Sequence, residues 1–120
     1  MIINTGIDIE EISRFKHLLE KPAFLKKCFG EDELKLFITK GMKPQTIAAN
    51  FCAKEALSKA LGTGIRGFSL KDIQLLRDDL GCPYFKLSGN AQELCKDRKI
   101  SVSVSHTRQY ATAIVIVYSE

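Results

Sequence analysis

Residues 43–67 read KPQTIAANFCAKEALSKALGTGIRG, and this stretch decides how the rest of the chain packs. From about Pro44 to Leu61, apolar side chains recur every three or four residues, which predicts an amphipathic α-helix with one broad buried face. That face comprises Ile47, Ala48, Phe51, Cys52, Ala56, Leu57, Ala60 and Leu61. At 120 residues the chain fits one domain, residues 1–120, with this helix in its single core.

A polar stripe of Glu55, Ser58, Lys59 and Gly62 runs beside the apolar face. A carboxylate and an ammonium group one turn apart, followed by a glycine turn, can hold a metal ion and an adjacent phosphate. The alternative is an ordinary Glu–Lys helix pair, which is worth about 0.2–0.5 kcal/mol. The local pattern alone favours that alternative, and it predicts Gly62 as the C-terminal cap of the helix.

The glycines at 62, 64 and 67 match G-x-G-x-x-G, but they do not predict a dinucleotide site. That fingerprint needs a strand before the glycines and a helix after them, whereas here a helix precedes them and FSLKDIQLL follows.

Composition narrows the function classes only slightly. The net charge of +4 admits an acidic protein, a nucleotide or a nucleic acid as partner. The cysteines at 28, 52, 82 and 95 form no CxxC pair, and the N-terminus MIINTGIDIE has no secretory apolar region. We therefore expect reduced thiols in a cytoplasmic protein, with no membrane span.

Before the central helix, a weak alternation predicts a short strand over Met1–Ile9, with Asp8 near its end. Asp8 either caps the helix that follows or works with a distant partner, for which Glu55 is the candidate. A helix is predicted over about Glu10–Glu20, closed off by Pro22. Its polar side and the following residues carry an excess of positive charge, either as a solvated face or as a docking surface for an acidic helix: Arg14, Lys16, Lys21, Lys26 and Lys27.

A short helix is predicted in GEDELKLFITKG, with Leu34, Phe37 and Ile38 turned inward. Residues 72–88 predict a hairpin and NAQELCKDR a short helix with Asn90 as its N-cap.

Two strands are predicted at the C-terminus, over residues 100–105 and 111–118. The last is almost uniformly apolar, so it is expected to be buried on both sides, by the domain's own helix or by another subunit. Between them, His106 stands with Ser105, Thr107 and Arg108, a set that suits a phosphate, although a lone loop histidine is more often an ordinary surface residue.

Three segments together resemble one family. GIDIEEISR at 6–14, FCAKEALSKALGTGI at 51–65 and SVSHTRQYATAIV at 103–115 are similar to the three blocks of the bacterial holo-acyl-carrier-protein synthases, the small trimeric type of 4′-phosphopantetheinyl transferase. Order, spacing and total length agree over essentially the whole chain. The resemblance implies an α+β fold in which an antiparallel sheet packs on a long central helix. It also implies a homotrimer with sites shared between subunits.

The implied reaction transfers the phosphopantetheine arm of coenzyme A to a serine of apo-acyl carrier protein, releasing adenosine 3′,5′-bisphosphate, in support of fatty acid biosynthesis. By similarity, Asp8 and Glu55 bind Mg²⁺, and Lys59 is the third catalytic residue because it reaches a phosphate oxygen. The proton acceptor for the serine is either a metal-bound water or Glu55. The coenzyme A contacts implied are Lys59, Gly62, Pro83, His106 and Thr107, and the carrier contacts are Arg14, Lys21, Lys26 and Lys27.

The chain departs from the family pattern at two places. Relatives commonly carry arginine where this chain has Asn50, which puts one phosphate or pantetheine contact in doubt, with Arg66 or Lys43 as possible replacements. Cys52 also replaces a small residue. Two other classes stay open. A nucleic-acid-binding domain would need exposed aromatic side chains among its basic residues, and a catalytically inactive binding module would not need the two carboxylates.

Overall fold

The computed structural model describes residues 1–62 and 67–119. In chain order the elements are β1 (Ile2–Glu11), α1 (Ile12–Leu18), α2 (Pro22–Cys28), α3 (Glu31–Thr39), α4 (Pro44–Ala60), a 3-10 turn (Leu70–Asp72), β2 (Ile73–Arg77), β3 (Pro83–Leu87), α5 (Gly89–Leu94), β4 (Lys99–His106) and β5 (Tyr110–Ser119). The α+β class is confirmed. None of the helices in the described ranges has the length and the apolar composition that a membrane span requires.

The predicted central helix is α4, and it packs on a three-stranded antiparallel sheet of order β1-β5-β4. The sheet turns one side of β5 toward the helix, and four small or β-branched residues on that side are buried: Ala111, Ala113, Val115 and Val117. The approach is closest at Gly6 of β1, where an added Cβ would lie 1.9 Å from the backbone oxygen of Ala56. Only glycine permits that contact.

The described residues leave the other side of the same sheet exposed at several apolar positions. Ile7 and Ile9 are each 62% exposed, and Ile7 pairs with Ile114, which is also exposed. The expectation that β5 is buried on both sides therefore holds for one side only within a single chain. These exposed isoleucines lie beside the exposed serines of β4, and an apolar patch with a polar border is typical of an interaction surface.

A fully buried ion pair anchors the opposite side of α4. Lys54 donates to the Glu33 carboxylate and to the backbone oxygen of Leu70 at 2.8 Å. The same carboxylate accepts from Gly30 N at 3.1 Å and from Asn50 Nδ2 at 2.9 Å. Burial raises the pKa of Glu33 and lowers that of Lys54, while their attraction opposes both shifts. The network joins α3, α4 and the 3-10 turn around one buried charge pair.

The N-terminus of α3 is capped from a distance. Its N-cap residue, Gly30, has no side chain, and Gln74 Oε1 on β2 instead accepts from Asp32 N at 2.8 Å and Glu33 N at 3.0 Å. A Cβ at Gly30 would lie 2.3 Å from Gln74 Cδ, so glycine makes room for the cap. The arrangement satisfies helix donors that would otherwise be buried without partners.

Several predicted boundaries are wrong. Strand β1 continues through Glu10 and Glu11, where the sequence pattern predicts helix, because both residues keep their ladder partners on β5. Pro22 begins a further helix, α2, since its missing N–H costs nothing at the first helical position.

Two smaller expectations also fail. Ile38 is 70% exposed rather than inward, because Glu33 and Phe37, four residues apart, form the buried line of α3. The N-cap position of α5 is Ser88 rather than Asn90, and within the described chain no side chain caps that helix.

Replacing Lys54 should test the buried pair. We expect Lys54→Met to lower the free energy of unfolding by about 3–5 kcal/mol, because Glu33 would be left charged and unpaired in the core. Urea denaturation measures this. The matched control is Lys35→Met, which breaks an exposed 3.6 Å pair with Glu31 and should cost less than about 1 kcal/mol. Equal losses in the two variants would contradict the assignment.

Candidate active site

Asp8 lies in the middle of β1, opposite Ala113, and points toward α4. Its side chain is 11% exposed, and its Oδ1 is 3.3 Å from Lys59 Nζ. Its Oδ2 is buried and has no hydrogen-bond partner among the described residues. The capping alternative is wrong, since Glu11 occupies the N-cap position of α1. A buried carboxylate oxygen without a partner is ready to accept a cation.

Lys59 is bound to β1 and not to its own helix. Its ammonium group donates to Ile7 O at 2.9 Å as well as contacting Asp8. Among the described ion pairs, Lys59 pairs with Asp8 and none joins it to Glu55. Burial, and then the negative charge of Asp8, raise the pKa of Glu55, while Lys59 opposes the shift. The two carboxylates therefore lie close enough to repel each other.

The residues present fit a magnesium ion. Asp8 supplies an unpartnered oxygen and Glu55 a second carboxylate, and a divalent cation would relieve the repulsion between them. No group of three or more acidic, thiol or imidazole side chains in the described ranges is arranged to enclose a metal. Magnesium suits this situation because it commonly takes one or two protein carboxylates and completes its shell with water and substrate phosphate.

Glu10 is a further acidic residue of this region that the sequence analysis missed. It follows Asp8 by two positions on β1, so both side chains face α4. Its carboxylate is 17% exposed and pairs with Arg14 Nη1 at 2.7 Å. Burial, and then the neighbouring Asp8, raise the pKa of Glu10, and Arg14 opposes this. The period-two spacing was the available signal, but the predicted strand ended at Ile9.

The residues predicted to bind phosphate, at the C-terminal end of β4, lie away from the carboxylates of Asp8 and Glu55. His106 is exposed and pairs with Ala111, whose partner on the far side is Glu10, so two strand spacings separate it from β1. His106 lines a cavity of about 440 Å³ together with Gln45 in the first turn of α4. Glu55 lies ten residues further along that helix, or about 15 Å. One chain thus does not bring His106 to the carboxylates.

The other predicted coenzyme A contacts also fall into two groups, one near Lys59 and one near His106. Gly62 follows α4 with a φ of +76°, and its N–H donates to Lys59 O at 3.1 Å, which confirms the glycine cap and places it beside Lys59. Thr107 lies next to His106, and its Oγ1 accepts from the backbone of Gln109 and Tyr110. Gly64 and Arg66 lie outside the described residues.

Pro83 belongs to the end of the molecule that holds His106. It begins β3 opposite Arg77, which lines the His106 cavity. Arg77 was not predicted. Its buried Nη1 has no partner among the described residues, which makes it a candidate anion contact.

The basic residues of the first helices are at the surface. Arg14 is 55% exposed, and its guanidinium stacks 5.6 Å from the Phe15 ring centroid and 5.8 Å from that of Phe51. Lys21, Lys26 and Lys27 are exposed around α2. The docking-surface alternative is therefore physically available.

The substituted positions both face inward. Asn50 is fully buried and donates to Glu33 and to Leu75 O, so the position belongs to the core network and does not reach the carboxylates of the site. Lys43 is exposed at the N-terminus of α4. The Cys52 thiol lies beneath Asp8 and Glu10, 3.3 Å from Ala111 O, and burial followed by those two charges raises its pKa. The four cysteines at 28, 52, 82 and 95 are free thiols within the described chain.

The sequence profile of the 4′-phosphopantetheinyl transferase superfamily matches residues 4–115. The chain belongs to this superfamily, and within it to the holo-[acyl-carrier-protein] synthases, as whole-length relatives show. The holo-[acyl-carrier-protein] synthase of Fusobacterium nucleatum is 43% identical over 121 residues, which cover 98% of this chain and 99% of the relative.

Solved structures agree. The holo-[acyl-carrier-protein] synthase of Neisseria meningitidis superposes with a TM-score of 0.89 at 30% identity, covering 97% of this chain and 98% of the other. The Bacillus anthracis enzyme, solved in complex with coenzyme A (3′,5′-ADP), superposes with a TM-score of 0.81 at 34% identity, covering 98% and 96%. The family and fold that the resemblance implied are confirmed.

If Mg²⁺ binds at Asp8 and Glu55, the raised pKa of Glu55 predicts how that binding depends on pH. Protons compete with the metal for this carboxylate at pH values above those of an ordinary glutamate, so the rise in melting temperature caused by Mg²⁺ should shrink as pH falls from 7.5 to 5. Thermal denaturation with and without Mg²⁺ measures it. Glu55→Gln, which cannot titrate, should show a small rise that varies little with pH. A wild-type response that is constant across the range would contradict the role of Glu55.

Proposed function

We propose that this chain transfers the 4′-phosphopantetheine arm of coenzyme A to a serine of apo-acyl carrier protein, supporting fatty acid biosynthesis in the cytoplasm, with Mg²⁺ held by Asp8 and Glu55. The family and the coenzyme A complex of the Bacillus anthracis relative support the reaction. The observation that carries the metal role is the unpartnered, buried Asp8 oxygen beside Lys59.

In this reaction, the serine oxygen attacks the phosphorus that bears the pantetheine arm, and the bond to the bridging oxygen breaks, so that adenosine 3′,5′-bisphosphate leaves. Bound Mg²⁺ would neutralise charge on the pyrophosphate and align it. Lys59, held at Ile7 and Asp8, presents a positive point charge to an oxygen of the leaving phosphate. The serine proton passes to Glu55 or to a water that Mg²⁺ would hold, the two acceptors that the sequence leaves open.

The complete site is formed between copies of the chain. Asp8, Glu55 and Lys59 lie at one end of α4, whereas His106 and Pro83 lie toward the other. Coenzyme A contacts from both sets therefore require a second chain. The exposed sheet face around Ile7, Ile9 and Ile114 provides the apolar surface for that contact. Three such faces around a threefold axis give the homotrimer implied by the resemblance.

The acidic carrier docks on the basic surface of α1 and α2. Arg14 is the central contact because it is exposed and close to the carboxylates, and Lys21, Lys26 and Lys27 add positive charge. The nucleic-acid alternative loses support, since Phe15, Phe37 and Phe51 are buried and unavailable for base stacking.

Intact mass of apo-acyl carrier protein after incubation with the chain, coenzyme A and Mg²⁺ tests the activity. We expect a gain of one phosphopantetheine arm, abolished by a chelator. Lys59→Ala should lower the rate about 100-fold or more, because a charge next to the leaving group is lost. Lys35→Ala removes an exposed lysine of α3 and should leave the rate unchanged. No gain with several apo carriers, from a folded protein, would overturn the proposal.

Mixing two inactive variants tests the shared site. Glu55→Ala and His106→Ala homotrimers should each lose most activity, whereas trimers reassembled from an equal mixture should regain about a quarter of the sites, since each intact site then takes Glu55 from one chain and His106 from another. Recovered turnover is the readout, and unmixed variants taken through the same reassembly are the control. A mixture no more active than its parents would indicate that each site lies within one chain.

A further inference from the structure

Glu10 lies between two regions that have separate roles in the proposed function, the metal site and the carrier-docking surface. On one side it neighbours Asp8, since the two residues lie two positions apart on β1 and both point toward α4. On the other side its Oε1 accepts from Arg14 Nη1 at 2.7 Å. A single, mostly buried carboxylate thus contacts the arginine of the proposed docking surface and lies beside a proposed magnesium ligand.

Arg14 is held so that it can bind a second carboxylate while its guanidinium stays beside Glu10. Its guanidinium stacks on the Phe15 and Phe51 rings, while more than half of its side chain is open to solvent. A guanidinium has five N–H donors, so donors not used by Glu10 remain available. An acidic side chain of the carrier that binds there competes with Glu10 for the same positive charge.

We propose that Glu10 is a positioning residue that couples carrier docking at Arg14 to metal binding at Asp8 and Glu55. In the free chain, Arg14 neutralises Glu10. When a carrier carboxylate engages Arg14, the negative charge of Glu10 acts more fully on the neighbouring metal site, and Mg²⁺ binds more tightly. This inference rests on the proposed function.

Glu10 is better placed than Arg14 to act through its charge on the metal site. Glu10 is mostly buried beside Asp8, where charge–charge attraction is weakly screened, whereas Arg14 is largely in solvent. Lys59 is a described cation at Asp8. It contacts β1 rather than the docking surface, so a carrier that binds Arg14 does not act on it directly. Linkage requires the effect to be mutual, so Mg²⁺ must strengthen carrier binding by the same factor.

The test is titration calorimetry of Mg²⁺ without coenzyme A, in the presence and absence of a saturating apo-acyl carrier protein that the wild-type chain modifies. For wild type we expect the carrier to lower the Kd of Mg²⁺ about fivefold. Glu10→Gln should bind Mg²⁺ more weakly and show a carrier effect within about twofold. The control Glu93→Gln removes one exposed carboxylate from α5 and should keep the full effect.

Each outcome of these titrations supports or overturns the proposed coupling. An unchanged Kd for wild-type chain with bound carrier overturns the coupling while leaving the proposed function intact, as does a full effect in Glu10→Gln. Failure of wild type to bind Mg²⁺ or carrier at all overturns the proposed function as well. If Glu10→Gln does not fold, the wild-type chain still gives a test, because the Kd of the carrier must fall by the same factor when Mg²⁺ is added.

Discussion

The close contact between strand β1 and helix α4 at Gly6 is the constraint on which the site depends. Since position 6 has no side chain, the strand lies directly on the helix backbone at Ala56. Two residues further along the strand, Asp8 therefore meets Lys59, whose ammonium also binds the backbone of Ile7. A larger residue at position 6 would push the strand away and separate the carboxylate from both Lys59 and Glu55.

Helix α4 makes polar contacts on two sides, and the consecutive residues Lys54 and Glu55 face these two sides. Lys54 points into the core and is fixed by Glu33, whereas Glu55, about 100° further round the helix, faces Asp8. Burying an ion pair is expensive and adds little net stability, but it fixes the rotation of the helix because the charged partners have no other place to go. The same rotation points Glu55 at the site. Core polarity and active-site geometry are thus two results of one helix orientation.

Within one chain, the predicted site residues lie toward opposite ends of α4, and the sheet leaves apolar side chains exposed on its other face. The proposed assembly of several copies would account for both facts. Apolar strands that the chain's own helix covers on one side gain free energy by packing against other copies, and the same packing can bring His106 of one copy to the carboxylates of another. Catalysis and quaternary structure would then select the same exposed isoleucines.

The sequence by itself determined the extent of α4, the hairpin and the last two strands, because hydrophobic periodicity and turn residues are local, and its resemblance to a known family implied the α+β class. It also identified the family and the catalytic candidates, since GIDI and AKEALSKALGTG carry that resemblance in contiguous segments. Only the tertiary structure showed that Lys59 pairs with Asp8 rather than Glu55, that Gln74 caps α3, that Asn50 lies in the core, and that Glu10 joins Asp8 to Arg14. These contacts mostly join residues far apart in the chain, or depend on where a strand ends. Their partners are chosen by packing, which local sequence patterns do not contain.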